Sequence, residues 1–190
     1  MKNAIRVIIF VILMGSISGG LLLGINLSTA YLIAKNDELK LKSSILAALE
    51  IAYAKDSVIK IFDAQVKTVN KDIYTFYSAV DGGIAFEFHG PGLWGPISGI
   101  ISLEKDLKTI RKIKITYQEE TPGLGSRIGD QDYLKNFKNK EVLPKLVFVA
   151  EGTSRQKNEV DAITGATGSS RALEKLINEN VQKYLSALKG

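Results

Sequence analysis

The residues best suited to chemistry form one short run, Asp161-Ala162-Ile163-Thr164-Gly165-Ala166-Thr167, followed at once by Gly168, Ser169, Ser170 and a stretch with helical apolar spacing. Thr167 then falls in or beside the first turn of a helix, where backbone N–H groups have no intrahelical acceptor and the helix dipole is positive. A phosphate suits that place. Gly165 and Gly168 remove side chains that would block a bulky phosphate, and the hydroxyls of Ser169 and Ser170 add donors. The small neighbours also leave one threonine open to a modifying enzyme. By residue type alone, a turn followed by a helix cap describes Thr164–Thr167 equally well. A nucleotide phosphate loop fits less well, because the pattern GxxxxGK[ST] is absent and Arg171 does not stand in for its lysine. Taken by themselves, these residues argue for an anion site and no further.

Other chemistry is sharply restricted by composition. With no cysteine, the chain has no disulfide, thiolate metal site or iron–sulfur ligand of its own. A single histidine, His89, supplies neither a multi-histidine metal centre nor a paired-histidine haem, so no metal site is expected. His89 itself reads as a structural or surface residue. Redox chemistry, if present, has to come from an organic cofactor. The formal charge is +5, but Lys2 and Arg6 precede a long apolar run and the rest carries only +3, scattered among acidic residues. That distribution argues against nucleic acid as a partner.

The elements that position the run begin with Val7 to Ala34, 28 residues without a charge. As a helix it would span about 42 Å at roughly 1.5 Å per residue, more than a hydrocarbon core of about 30 Å. Its length reads as a retained anchor rather than a cleaved leader, with Ser28-Thr29-Ala30 the one cleavage-like triplet. A short basic amino terminus before a first helix normally stays cytoplasmic, which predicts an extracytoplasmic domain after the anchor. Gly15/Gly19 and Gly20/Gly24/Ser28 clear one side of the span and suit a neighbouring membrane helix.

Beyond the anchor, Asn36 or Asp37 is placed to cap a helix carrying Leu39, Ile45, Leu46, Leu49 and Tyr53. Val58 to Val69 is ambiguous between helix and strand. Tyr74–Val80 and Ile84–Phe88, separated by Asp81-Gly82-Gly83, read as a hairpin. Strands are expected at Ile97–Leu103, Ile110–Tyr117 and Leu146–Ala150, with a short helical pattern around Tyr133 and Phe137. Ser169 to Leu188 is predicted as a helix with Leu173, Leu176, Ile177, Val181, Tyr184, Leu185 and Leu188 on one face. The expected architecture is α+β, a mainly antiparallel sheet with flanking helices, preceded by one amino-terminal transmembrane helix. Residues 1–35 form the anchor in this reading and 36–190 a single domain.

Three further motifs carry a resemblance. Asp161, Thr164, Gly165, Ala166 and Thr167 match an attachment pattern in full; Glu120-Thr121-Pro122-Gly123-Leu124-Gly125 matches a second signature, ETPGLG; and Gly92-Leu93-Trp94-Gly95 matches a GLW loop. With these motifs the chain resembles, over nearly its whole length, the FMN-binding family that includes the C subunit of the sodium-translocating NADH:quinone reductase and the G subunit of the Rnf complex. The resemblance implies FMN covalently attached through its phosphate to Thr167, by a flavin transferase that recognises Asp161 and uses FAD as donor. It further implies cofactor contacts from Thr164, Gly165, Ala166, Glu120, Thr121, Gly123 and Leu124, and a wall beside the flavin from Leu93 and Trp94.

The implied role is that of an electron-transfer subunit in an ion-translocating oxidoreductase complex, held to other membrane subunits by its helix, and not of a stand-alone enzyme. The GLW loop leans toward the quinone reductase subunit and the short ending after the last helix toward the Rnf subunit, the latter being preferred. Two other readings remain open: a flavinylated membrane-tethered protein of another reductase chain, and a noncatalytic assembly module whose threonine motif is only a cap.

Overall fold

The computed structural model describes residues 2–189 and divides into two compact units, Met1–Leu41 and Lys42–Gly190. The first consists of helix α1, Lys2–Ala48, up to Leu41. Its segment has a mean hydropathy of 2.4 over the most apolar window, and it is long and apolar enough to cross a membrane. The expected break at Asn36 or Asp37 is absent, because the polar residues there continue the helix without a cap.

Helix α1 ends inside the second unit, earlier than the sequence suggested. Glu50 takes a left-handed conformation, φ 57°, while Ile51 N–H donates to the Leu46 carbonyl (2.9 Å) and Glu50 N–H to that of Ala47 (3.3 Å). This paired closure satisfies the last carbonyls of a helix, and glycine normally supplies it. With glutamate in that position no sequence signal marks the stop, and Tyr53 falls beyond the helix. The ambiguous segment resolves into both alternatives: α2, Val58–Gln65, runs directly into β1, Val66–Lys71.

Five strands then pair in sequence order, all antiparallel: β1, β2 (Tyr74–Ala79), β3 (Ile84–Pro91), β4 (Pro96–Leu103) and β5 (Ile110–Gln118). The predicted hairpin is β2–β3. A strand covered on both faces loses the usual alternation, and β4 does so, with Ile97, Gly99, Ile100, Ile101, Ser102 and Leu103 all buried. One face meets the end of α1, where the Ser102 hydroxyl donates to the Ala48 carbonyl (2.5 Å). Arg111 of β5 closes the same end by donating to the Leu49 carbonyl (3.2 Å), Asp81 (2.8 Å) and Glu104 (2.7 Å).

The other face carries helix α4, Thr167–Lys189. Leu173, Leu176, Ile177, Val181 and Leu185 lie in the main core with Phe86, Phe88, Ile97, Ile101 and Ile113. Tyr184 stacks on Phe86 with ring centroids 4.3 Å apart. Between β5 and α4 lie a 3-10 turn at Gly125–Gly129, the short helix α3 (Gln131–Leu134), and two short strands, β6 (Val147–Val149) and β7 (Glu159–Asp161), which pair in parallel. Strand β7 had no sequence expectation. Three residues are too few to show a period.

Candidate functional site

The run singled out by sequence lies between two fixed elements. Asp161 closes β7 and Thr167 opens α4. Between them Ala166 N–H donates to the Ile163 carbonyl (3.0 Å) across a turn whose third residue, Gly165, has φ 80°. A turn with that sign of φ at its third position favours glycine. The ladder of α4 starts with Ser170 N–H on the Ala166 carbonyl (3.0 Å), so the N–H groups of Thr167, Gly168 and Ser169 precede it. Thr164, Gly165, Thr167 and Gly168 are exposed, whereas Ala166 is buried and anchors the turn in the core.

Two loops converge on this helix start. A Cβ added at Gly168 would lie 2.6 Å from Leu93 Cδ2, and one at Gly165 would lie 3.5 Å from Leu124 Cδ2. The absence of side chains at these two positions therefore lets a leucine from each loop close onto the segment around Thr167. The loops are tied together by one buried carboxyl. Glu120, 4% exposed, accepts Leu93 N–H (2.7 Å) and Trp94 N–H (3.2 Å) on Oε1 and the Ser169 hydroxyl (2.6 Å) on Oε2. Gly125 permits this closeness, because a Cβ there would collide with Ser169 Oγ.

Glu120 is thus the brace of the site, a role its place in the motif did not reveal. Ser169 and Ser170 are also corrected. Both are buried and turned inward, Ser169 to Glu120 and Ser170 to accept Ile163 N–H (3.0 Å), so neither hydroxyl is offered to an outside anion. Leu93, Trp94 and Leu124 remain 54%, 73% and 48% exposed, and the indole is not a core residue. Thr121 and Gly123 shape their loop from within: the Thr121 carbonyl accepts Leu124 N–H (3.2 Å) and Ser126 N–H (3.0 Å), and Gly123, φ 73°, donates to Ser126 Oγ (3.0 Å).

On the other side of Thr167 a cleft of about 270 Å³ is lined by Val149, Glu151, Thr164, Thr167 and Arg171, among others. Glu151 accepts Thr164 N–H (3.2 Å). The hydroxyl and N–H of Thr164 hold the Glu151 carboxyl below its ordinary range. Asp161 is placed differently: its Oδ1 accepts Ser154 N–H (2.8 Å), and it borders a second, polar cleft of about 600 Å³ with Arg127, Asp130, Tyr133 and Glu151. The Tyr133 hydroxyl there is buried beside Ser170 without completing a hydrogen bond, and burial raises its pKa. Neither Glu151 nor Arg171 belongs to a motif, and only their spacing from Thr164 and Thr167 could have pointed to them.

The FMN-binding domain family matches residues 92–182, a stretch containing both loops, the turn and most of α4. Residues 92–182 carry an FMN-binding domain. It is 32% identical to the G subunit of the ion-translocating oxidoreductase complex of Methanosarcina acetivorans over 134 residues, 67% of this chain and 66% of that protein. It is 30% identical to the C subunit of the Na+-translocating NADH-quinone reductase of Chlamydia trachomatis over 126 residues, 55% of this chain and 40% of that protein. The match thus spans less than half of the quinone reductase polypeptide. The crystal structure of the corresponding Na+-translocating NADH-quinone reductase C subunit from Parabacteroides distasonis superposes with a TM-score of 0.72 at 25% identity, covering 84% of this chain and 96% of that one.

The FMN-binding domain presents groups that fit its ligand. Free N–H groups at the start of α4 suit a phosphate, and the exposed side chains of Leu93, Trp94 and Leu124 suit an apolar ring system. Among the described residues no cluster of His, Asp or Glu is arranged to hold a metal. With α1 long and apolar enough to span a bilayer, the chain is a membrane-associated FMN-binding protein.

Proposed function

We propose that the chain is an electron-transfer subunit of a membrane ion-translocating oxidoreductase complex, carrying FMN joined through its phosphate to the Thr167 hydroxyl. The observation that carries this reading is the convergence at Thr167: an exposed hydroxyl at the start of α4, with Leu93 closed onto Gly168 and Leu124 onto Gly165. The bond is made by a flavin transferase that docks on Asp161, takes FMN from FAD and releases AMP as the threonine proton is removed. Bound flavin supplies exchange of one or two electrons. The protein's own groups hold the site: the α4 N–H groups face the phosphate, Leu93, Trp94, Leu124 and the backbone of Thr164, Gly165 and Ala166 exclude water beside the rings, and Glu120, Thr121 and Gly123 fix the loops. No catalytic acid, base or nucleophile is required of this chain.

Residues 1–35 form the anchor, 36–190 the flavin domain, and the domain lies on the extracytoplasmic side of the cytoplasmic membrane. Among the related complexes, an Rnf-type ferredoxin:NAD oxidoreductase is favoured, supported by the wide overlap with the Methanosarcina protein, 66% of whose length is matched. The test is direct. The full chain, co-expressed with a flavin transferase, is separated by denaturing electrophoresis and viewed for flavin fluorescence. A fluorescent band is expected, and Thr167→Val should be dark. A dark wild-type band, or a Thr167→Val band as bright as wild type, overturns the proposal.

A further inference from the structure

We propose that Arg171 is the positioning residue for the phosphate on Thr167, holding the cofactor's attachment end over the cleft beside α4; this rests on the reading above. Thr167 and Arg171 stand at i and i+4 of one helix, where Cβ atoms are about 5–6 Å apart. Side chains of a helix lean toward its amino terminus, a direction that brings Thr167 within the reach of an arginine at position 171. Both residues line the cleft of about 270 Å³, whose only other charged wall residue is Glu151.

Arg171 is oriented, not loose. Its Nη1 donates to Glu174 Oε2 (2.7 Å), and the other oxygen of Glu174 accepts Phe148 N–H of β6 (3.1 Å). The Glu174 side chain is only 17% exposed, whereas Arg171 is 57% exposed. An exposed i,i+3 ion pair contributes little to stability, and Glu174 alone would satisfy the Phe148 amide. The arginine therefore has no structural duty that needs a guanidinium, and all but one of its donors are unengaged among the described residues. A phosphodiester on Thr167 would enter a cleft walled by the carboxyl of Glu151, and Arg171 supplies the positive charge that offsets it. Its planar fork suits phosphate oxygens better than a lysine does.

The test uses the flavinylated full chain in detergent as wild type, Arg171→Gln, Arg171→Lys and Lys175→Gln, the last altering an exposed cation one turn further on. Fluorescence of the denatured band first establishes equal covalent flavin in each. The expected result is a displaced phosphorus-31 resonance in Arg171→Gln, a smaller displacement in Arg171→Lys and none in Lys175→Gln. The gain in melting temperature on flavinylation should fall to less than half in Arg171→Gln, with the unflavinylated midpoint unchanged. A phosphorus resonance and a flavinylation gain unaltered by Arg171→Gln overturn the role of Arg171 and leave the Thr167 bond standing. A dark wild-type band overturns both.

Discussion

Removing the Glu120 side chain is the sharpest probe of how the site is assembled. Glu120 accepts three hydrogen bonds, two from Leu93 and Trp94 N–H groups and one from the Ser169 hydroxyl, and is 4% exposed. Hydrogen bonds to a charged group contribute about 1.5–3 kcal/mol each, and a buried donor left unpaired costs about 1–3 kcal/mol. The two loop amides can reach water once the exposed Leu93-Trp94 segment loosens, so the total for Glu120→Ala is about 3.5 kcal/mol. For a domain of this size that is roughly 7–14 °C in melting temperature. Glu120→Gln keeps one oxygen for the amides and turns its NH2 toward Ser169, whose hydroxyl can accept instead; it should cost about 1 kcal/mol. The assay is thermal denaturation of the full chain in detergent followed by circular dichroism, with emission of Trp94, the chain's single tryptophan, reporting the loop. A red-shifted Trp94 emission should accompany Glu120→Ala. Glu120 does not brace the loops if Glu120→Ala melts within about 2 °C of wild type with unchanged emission, or if Glu120→Gln costs as much as Glu120→Ala.

Four other substitutions test neighbouring parts of the structure. Gly165→Ala forces a side chain into φ 80° and should destabilise by about 1 kcal/mol in urea titrations, because Leu124 at 3.5 Å adds no clash. Gly168→Val drives Leu93 from the helix start, and a blue or red displacement of the bound flavin absorption should follow with little change in melting temperature, since Leu93 is already 54% exposed and free to swing aside. Arg111→Leu leaves the buried Leu49 carbonyl unpaired and two carboxyls without a cation; with Asp81 and Glu104 60% and 39% exposed, the loss should be about 2 kcal/mol by urea titration. Because the Glu151 carboxyl titrates below its ordinary range in the fold, its hold on Thr164 is present above about pH 4.3 and is lost as pH falls further. Protection of the Thr164 amide, taken relative to its intrinsic exchange rate at each pH, should fall on acidification, and Glu151→Gln should abolish that fall.

Much of this fold could be read ahead because its elements are long enough to show a period. The Leu173 to Leu188 stripe predicted α4, and the aromatic and β-branched runs around Asp81-Gly82-Gly83 predicted β2 and β3. What escaped was short or carried by atypical residues. Strand β7 has three residues, and α1 stops at a left-handed Glu50 where a glycine would have announced the end. At the site, motif residues were visible as types but not as partners. Nothing in the letters ETPGLG or in Ser169 says that the glutamate accepts a hydrogen bond from that serine 49 positions away. The inward turn of Ser169 and Ser170 escaped for the same reason: a hydroxyl beside a helix start looks available until the packing around it is known. Trp94, expected as part of a wall beside the flavin, is 73% exposed in a loop that the Glu120 contacts fix.

The segment from Asp161 to Thr167 is short, and both of its ends are fixed, one by pairing of β7 with β6 and the other by the packing of α4 in the core. Its interior backbone is also engaged, through Glu151, Ser170 and the turn at Gly165. An enzyme that modified Thr167, as proposed, would therefore meet a moulded surface instead of a slack peptide, and the distance between Asp161 and Thr167 is set by the fold. Were Thr167 loaded in the way proposed, the polypeptide would have to complete its core first, and attachment would act as a checkpoint on folding.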